Sequence, residues 1–575
     1  LAATALMNLA RHGLPAEERH ALLAEAAAGL DGLADSHDKA FALLGIGRAL
    51  LAGADAGGPA ARDQALAWQV LDRARAMAEN LGDQRAAAYA YGYLGRLYQQ
   101  RGRPQEALRL TSRAAFIAQQ LQAPELLYLW HWQAGRLHKA MNDPEAALAA
   151  YRHAAYQLGQ ISAELLSSHR GSAFREVVGP LYLEWADLLL KSAARINDPA
   201  VTEMYLVDAR NAVEQLKTVE LQDYFLDECV VAAQARATGL DQLAARTAVL
   251  YPILLAERTE LLLSVPGGIR QFTVPVTAAA LTDEVRALRR RLERRTTHDY
   301  LPHARRLYDW LIRPLEAQLA AAGVDTLVIV PDGPLRTVPL AALHDGRQFL
   351  IQRYALATTP GLTLTDASPL PRQDARVLVN GLTEGVQGFP PLPAVSYELA
   401  AIREIFGPGT ETVLENQSFN LENLERALTR RPYTIVHIAS HGQFASDIRD
   451  SFLLTYRQRI TMDRLEEYMQ FRRFSEEPVE LLTLSACQTA AGDDRAALGL
   501  AGVAIKAGAR SALGTLWFIN DQASSLLVAD FYRFLQAPDA TKARALQQAQ
   551  LKLLAEPRYR HPVYWSPFLL IGNWL

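Results

Sequence analysis

The sequence predicts a multidomain protein in which an all-α helical solenoid is followed by an α/β domain with a mostly parallel sheet. Three observations support this fold class. The chain has 575 residues, more than one folding unit usually contains. Apolar residues recur with a helical period in the first part, whereas short apolar runs alternate with helical stretches after Pro266. Hydrophobic residues make up 50% of the chain and charged residues 21%, which is typical of proteins with large cores.

The first part of the chain contains a repeat of two helices. The residues around Gly95 recur 40 positions later around Gly135. A small residue lets two helices approach closely, and we expect Pro104 and Pro144 to begin the second helix of each copy. The recurring positions are Tyr91, Leu94, Gly95, Tyr98, Pro104, Ala107 and Ala114, which correspond to His131, Ala134, Gly135, His138, Pro144, Ala147 and Ala154. The layout resembles tetratricopeptide repeats longer than the usual ~34 residues, the alternative being an irregular helical bundle.

Three segments follow from these patterns. We expect tetratricopeptide-like helical repeats in residues 1–160, further helices that close the solenoid and link it onward in residues 161–265, and the α/β domain in residues 266–575. The pattern predicts helix from Leu181 to Thr259, with one long helix over Ala209 to Cys229 and Cys229 as a buried core thiol. The strands predicted in the α/β domain are Thr326 to Pro331, Arg376 to Gly381, Thr434 to Ser440 and Glu480 to Ser485.

Charge and cysteine content exclude several classes of protein. Lys and Arg number 59 against 62 Asp and Glu, a net charge of −3, which gives no strong signal for nucleic acid or a membrane surface. The Arg-rich stretch from Asp283 to Arg313 is interpreted as a solvated helix face. Two cysteines cannot form a disulfide framework, so we expect a reducing, cytoplasmic compartment. Because the sequence begins with Leu1, a signal peptide would not be visible.

Two apolar strands end in residues that carry chemistry. The segment TIVHIASHGQF contains His441, and VELLTLSACQTAAG contains Cys487. If the strands are parallel neighbours, both residues reach the same edge of the sheet. The imidazole of His441 can then take the proton of the Cys487 thiol and later return it to a leaving amine. The backbone N–H groups of Gly442 and Cys487 are candidates for an oxyanion hole.

These two segments resemble the CHAT family, the bacterial caspase-like members of the caspase and separase clan. The resemblance covers residues 273–575 and includes PDGPLRTVPLAAL, ALGLAGVAIKAGARSALGTLW and HPVYWSPFLLIGNWL. It implies a cysteine endopeptidase fold with His441 and Cys487 as catalytic dyad. It also implies that tetratricopeptide repeats commonly accompany such a domain.

The substrate pocket and a metal alternative are less defined by the sequence. Small Ser485 leaves room for a substrate backbone, and a carboxylate lining the pocket would favour a Lys or Arg side chain. The candidates are Asp447, Asp450, Asp493 and Asp494, with solvated loop carboxylates as the alternative. His437 lies four residues before His441 and so on the same face of a regular strand. We interpret it as a core residue or one that orients its neighbours, the alternative being a zinc site formed by His437, His441 and Cys487.

The two strand ends and the family resemblance together predict a cysteine endopeptidase that cleaves a protein or peptide substrate. We expect a regulatory protein or peptide to bind the helical repeats and gate the activity, since stacked repeats form extended binding surfaces. The rival hypothesis is a catalytically silent scaffold that acts through its repeats. No glycine-rich phosphate loop follows any strand, and we expect no cofactor and no metal. The proline-rich segment Val386 to Pro393 is predicted to be a surface loop, and Asp521 is left without a firm role.

Overall fold

The computed structural model describes residues 14–52, 61–168, 173–225, 245–369, 375–407, 409, 411–473, 478–489 and 493–575. Contacts between residues divide the chain into two compact units. The first contains residues 1–165 and 180–192, and the second contains residues 166–179 and 193–575. The predicted core position of Cys229 lies outside the described residues. The predicted three-part division at residues 160 and 265 stays a prediction.

The first unit consists of successive helices, as its helical period predicts. The helices are α1 (Ala16–Ala28), α2 (His37–Ala52), α3 (Ala61–Leu81), α4 (Gln84–Gln100), α5 (Pro104–Gln120), α6 (Pro124–Ala140), α7 (Pro144–Ser168) and the second half of α8 (Ala173–Ala193). Pro104 and Pro144 begin α5 and α7, which confirms their predicted places. Proline is tolerated there because the first N–H groups of a helix have no partner within it.

Small residues hold the repeated helices close together. A Cβ at Gly95 would lie 2.6 Å from Thr111 Oγ1 and 3.1 Å from the carbonyl oxygen of Ala107, so α4 approaches α5 at this position. A Cβ at Gly135 would lie 3.0 Å from the ring of Tyr151, which gives α6 and α7 the equivalent close contact. The predicted repeat of two helices and its small positions are therefore confirmed.

The second unit is built on a mixed, mostly parallel sheet, as predicted. Within the described residues the sheet has 13 strands, in the order β10-β9-β8-β11-β12-β13-β5-β4-β1-β2-β3, with β6 between β8 and β7. The strands are β1 (Thr247–Leu254), β2 (Thr259–Val265), β3 (Gly268–Val274), β4 (Thr326–Ile329), β5 (Ala355–Thr358), β6 (Val377–Gly381), β7 (Glu411–Glu415), β8 (Ile435–Phe444), β9 (Phe452–Leu454), β10 (Arg459–Thr461), β11 (Leu481–Thr489), β12 (Ser511–Thr515) and β13 (Phe568–Gly572).

Helices surround this sheet and complete its core. Helix α17 packs on β11, α18 packs on β5, and α16 contacts β8, β11 and β12. The helices are α9 (Pro199–Phe225), α10 (Ala278–Leu292), α11 (Leu301–Leu311), α12 (Glu316–Ala321), α13 (Val395–Phe406), α14 (Leu421–Arg430), α15 (Met462–Arg473), α16 (Asp494–Lys506), α17 (Asp521–Leu535) and α18 (Lys542–Ala555). No helix in the described ranges is both long and apolar enough to cross a bilayer.

The start of the sheet differs from the prediction. Helix was predicted up to Thr259, but Thr247–Leu254 forms β1 and pairs antiparallel with β2, and every residue of both strands is buried. A short apolar run has no alternation when both of its faces are covered, so its period does not distinguish strand from helix. The four strands predicted after residue 320 are confirmed as β4, β6, β8 and β11.

The Arg-rich stretch forms most of α10 and all of α11, but one of its arginines is not solvated. Val285, Leu288 and Leu292 are fully buried, as their spacing predicts. Arg289 is also buried and donates hydrogen bonds to the carbonyl oxygens of Thr337 (2.6 Å) and Leu516 (3.1 Å). The interpretation as a solvated face is therefore wrong for Arg289, whose guanidinium satisfies two buried carbonyl groups.

Lys542, at the start of α18, is a buried cation with an incomplete set of partners. Its side chain is fully buried, and no atom of the residues that the structure describes accepts a hydrogen bond from Nζ. Burial lowers the pKa of Lys542 from its ordinary value of 10.5 to about 8, with Glu480 opposing the shift. Between these two pH values the unfolded chain binds a proton at this position that the folded chain does not, so folding stability rises with pH in that window.

We expect Lys542→Met to raise the free energy of unfolding at neutral pH by roughly 1 to 3 kcal/mol, because a buried ammonium is replaced by an apolar chain. The variant should also lose the rise in stability between pH 8 and pH 10.5. Urea unfolding across this pH range measures both effects. Lys552→Met is the matched control, since that side chain is 59% exposed on the same helix. A lower stability of Lys542→Met, or an unchanged pH profile, would contradict the expectation.

Candidate functional site

The two strands that end in reactive residues are direct neighbours. Strand β8 pairs with β11 in parallel, and this register places the backbone of Cys487 beside Gly442 and Ala486 beside His441. Parallel neighbours deliver their carboxyl ends to the same edge of a sheet. The predicted adjacency of the two strands is thus confirmed at the level of the backbone. The side chain of Cys487 lies outside the described part of the chain.

A change of register separates His437 from His441. Ile438 pairs with Leu484, but His441 pairs with Ala486, so β8 has one more residue than β11 in this interval. Such a bulge interrupts the two-residue alternation of side chains. The four-residue spacing therefore does not put His437 and His441 on the same face, and the zinc hypothesis loses its basis.

His437 belongs to a buried polar cluster beneath the sheet edge. Its Nδ1 lies 3.3 Å from the hydroxyl oxygen of Tyr532, which is also 2.8 Å from Thr483 Oγ1. Its Nε2 approaches Glu398 Oε1 to 3.0 Å, without the alignment of a hydrogen bond. Burial raises the pKa of Tyr532. These contacts join α13 and α17 to the central strands. The contacts of His437 are therefore those of a residue that packs the core.

His441 is held in one orientation by residues outside its own strand. The side chain is largely buried, and Nε2 lies 2.9 Å from the carbonyl oxygen of Pro390. Because a carbonyl oxygen only accepts, Nε2 carries a proton, and in the neutral imidazole the lone pair is therefore on Nδ1. The rings of Phe389 and Phe518 have their centroids 5.2 Å and 5.9 Å from the imidazole. The ring is therefore fixed as the tautomer that can accept a proton at Nδ1.

Pro390, Phe389 and Phe518 were not predicted as functional residues. The first two lie in residues 386–394, which we call the proline loop, and Phe518 follows β12. Their signal in the sequence is positional only, because each segment comes shortly after a strand whose carboxyl end lies at the same sheet edge as those of β8 and β11. Which of several such loops contacts His441 is set by the tertiary structure.

The predicted oxyanion donors lie within paired strands. Gly442 has Cys487 as neighbour on β11 and Leu453 as neighbour on β9. Ser485 is buried, and its carbonyl oxygen accepts a hydrogen bond of 2.9 Å from Ser524 Oγ. The oxyanion role of Gly442 and Cys487 and the pocket role of Ser485 stay predictions.

Two of the four acidic pocket candidates, Asp447 and Asp493, already have partners. Asp447 accepts from the backbone N–H and the guanidinium of Arg449, and this interaction lowers the pKa of Asp447 to about 2. Asp493 caps α16 by accepting from the N–H groups of Arg495 and Ala496, and it also binds Ser446 Oγ. A cationic substrate side chain would have to compete with these donors. Their role in specificity stays a prediction.

The segments that leave β8 and β11 are tied to each other and to α9. Arg495 donates from Nε to the carbonyl oxygen of Ser446 at 2.9 Å and from Nη1 to Asp223 Oδ2 at 2.6 Å. Tyr224 donates its hydroxyl to the carbonyl oxygen of Ala445 at 2.8 Å. A Cβ at Gly499 would overlap the ring of Tyr224. The end of α9 thus contacts both the segment that follows β8 and the segment that follows β11.

Asp521 links the proline loop to α17. Its Oδ2 accepts a hydrogen bond of 2.7 Å from the backbone N–H of Ala394, the last residue of the loop. Burial raises the pKa of Asp521, while the Ala394 N–H and the nearby His441 oppose this shift. The carboxyl group therefore lies in the electrostatic neighbourhood of the imidazole.

Comparison with known proteins gives a family match within the second unit. The family model of the CHAT domain matches residues 301–573. Among solved structures, one match is the signal transduction ATPase with numerous domains that has a tetratricopeptide repeat sensor, from Pyrococcus horikoshii. It is 15% identical, with a TM-score of 0.27, over 40% of this chain and 34% of that chain. This chain therefore spans about a third of that protein. None of the curated proteins matches.

The match covers β4 to β13, including both strands of the candidate site, and follows the helical repeats of the first unit in the sequence. We conclude that this chain carries a CHAT domain, a family related to caspase-like peptidases, in residues 301–573, preceded by an N-terminal region of helical repeats.

Proposed function

We propose that this chain is a cysteine endopeptidase in which Cys487 is the nucleophile and His441 is first the base and then the acid. One observation carries the proposal: His441, with Nδ1 free to accept a proton, lies on a strand whose parallel neighbour carries Cys487 one residue further along. The relation of the CHAT family to caspase-like peptidases supports the same chemistry. A thiol and an imidazole within hydrogen-bond reach of each other can carry out nucleophilic acyl transfer.

The proposed reaction has two halves. Nδ1 of His441 takes the thiol proton, and the thiolate of Cys487 attacks the carbonyl carbon of the scissile peptide bond. The imidazolium then gives its proton to the leaving amine as the C–N bond breaks, which leaves a thioester on Cys487. Water, deprotonated by the same imidazole, hydrolyses the thioester and restores the thiol. The carbonyl of Pro390 accepts a hydrogen bond from Nε2, so Nδ1 is the nitrogen that exchanges the proton in each half.

We expect Cys487→Ala and His441→Ala to lower peptide cleavage by about a thousandfold or more, because each removes one member of a pair that acts as a unit. Cleavage of a diverse peptide library, mapped by mass spectrometry, is the measurement. Cys229→Ala is the matched control, since Cys229 is the only other cysteine, and it should keep full activity. Thiol alkylation should abolish cleavage, and a chelator should leave it unchanged.

Cleavage that survives Cys487→Ala would contradict the peptidase proposal. If the wild type cleaves no peptide under any condition, including in the presence of proteins captured by the repeats, the silent scaffold becomes the better account. Sensitivity to a chelator with resistance to alkylation would instead indicate metal-dependent hydrolysis.

We further propose that a protein or peptide bound to the helical repeats gates the activity. Stacked helical repeats form extended surfaces suited to such partners. The second unit offers an element for the gate in α9, which comes directly after the repeats in the sequence. Its residues Asp223 and Tyr224 contact the segments that follow both strands of the proposed dyad. A change at α9 would therefore reach the nucleophile and the base together.

Under this proposal the contacts of α9 hold the resting arrangement, and weakening them should raise cleavage without any partner. Tyr224→Phe removes one hydroxyl donor and keeps the ring, and a hydrogen bond worth ~1 kcal/mol shifts a two-state equilibrium about fivefold. We expect a basal cleavage rate raised by roughly that factor. Tyr251→Phe is the control, because Tyr251 donates to Glu214 of α9, away from these segments. An unchanged or lower rate in Tyr224→Phe would contradict the proposed gate.

A further inference from the structure

We infer that Asp521 is a positioning residue of the proposed dyad, which it serves by holding the proline loop against His441. The inference rests on the proposed function and extends it to a residue that neither the family match nor the sequence pattern assigns.

The orientation of His441 depends on the proline loop. The loop supplies the carbonyl oxygen of Pro390 to Nε2 at 2.9 Å and the ring of Phe389 at 5.2 Å from the imidazole. The carbonyl selects the tautomer, and the ring limits rotation about the Cβ–Cγ bond. If the loop moves away, Nε2 loses its acceptor and the proton can sit on either nitrogen. The base would then be present only part of the time.

The proline loop has few backbone N–H groups that can donate hydrogen bonds. Pro390, Pro391 and Pro393 have no backbone N–H. Among the described residues, the hydrogen bonds that anchor the start and middle of the loop come from the Gln387 side chain, which donates to the carbonyls of Thr455 (2.8 Å) and Gln458 (3.2 Å), and from the Leu392 N–H, which donates to the Thr383 carbonyl at 3.2 Å. At the end of the loop, the Ala394 N–H donates to Asp521 at 2.7 Å.

Asp521 lies on a helix that is fixed to the central strands. Asp521 is the first residue of α17, and Asn520 caps this helix by accepting from the Ala523 N–H. The helix is joined to the central strands through Tyr532, which contacts Thr483, and through Ser524, which donates to the Ser485 carbonyl. Asp521 therefore transmits the position of β11 and α17 to the loop that orients His441.

A purely structural role is the competing explanation. Ala394 directly precedes α13, so Asp521 also satisfies an N–H group at the start of that helix. Such a cap contributes to stability and would leave the chemistry of His441 unchanged. The two roles differ in one observable, the ability of His441 to deprotonate Cys487, which can be measured without knowing the natural substrate.

The test is the rate of iodoacetamide alkylation at Cys487 in the full chain at a pH of about 6, where a thiolate needs a base partner. Mass spectrometry of tryptic peptides separates Cys487 from Cys229, which serves as internal reference. His441→Ala should slow alkylation of Cys487 and not of Cys229. If it does not, the proposed function fails, and the inference about Asp521 fails with it. The Asp521 variants are compared once His441→Ala has lowered the rate of Cys487 alkylation.

We expect Asp521→Ala to slow alkylation of Cys487 about tenfold, because the proline loop loses the hydrogen bond that anchors its C-terminal end. Asp521→Asn should stay within about threefold of the wild type, since the amide oxygen still accepts from Ala394 N–H. Asp521→Glu keeps the charge but moves it by one methylene, so it should be slower than Asp521→Asn. Asp530→Ala, on the same helix and paired with Arg533 and Lys552, is the control for general damage and should match the wild type.

Two results would overturn the inference while leaving the peptidase proposal intact. One is an alkylation rate in Asp521→Ala equal to the wild type. The other is the reverse order of the conservative variants, with Asp521→Glu faster than Asp521→Asn, which would mean that the charge acts and not the hydrogen bond. Should Asp521→Ala fail to fold, the order of these two variants decides the question by itself.

Discussion

The parallel pairing of β8 with β11 is the constraint on which the proposed site depends. It brings together segments that are far apart in the chain and fixes Cys487 beside the residue that follows His441. The pairing extends on both sides, with β6 next to β8 and β12 next to β11, all in parallel. Four neighbouring strands thus direct their carboxyl ends to one edge, which is where sheets of this kind collect functional residues.

Each of these four strands contributes to the environment of His441. Beyond β6 lies the proline loop with Pro390 and Phe389, and beyond β12 lie Phe518 and Asp521. The exits of β8 and β11 are joined by Arg495, which also binds Asp223 of α9. The imidazole is therefore oriented by backbone and ring contacts from neighbouring strands. A site of this construction responds to movement of any one of its loops.

The sequence predicted the class of the fold and the edge of the sheet, because both depend on local period and on the place of polar residues after apolar runs. It did not predict β1 and β2, whose two buried faces remove the alternation that marks a strand. The bulge before His441 adds one residue without any mark in the sequence, which is why His437 was assigned to the wrong face. The tie between Asp521 and Ala394 spans 127 positions, and a single sequence has no local pattern for such a contact.

The most direct test of the central claim is the distance between Cys487 Sγ and His441 Nδ1 in a crystal structure of the full chain with a peptide aldehyde bound. The account predicts the peptide bonded to Sγ and the two atoms within about 4 Å of each other, as proton transfer requires. A thiol more than about 7 Å from the imidazole, or one sealed from the bound peptide, would contradict it.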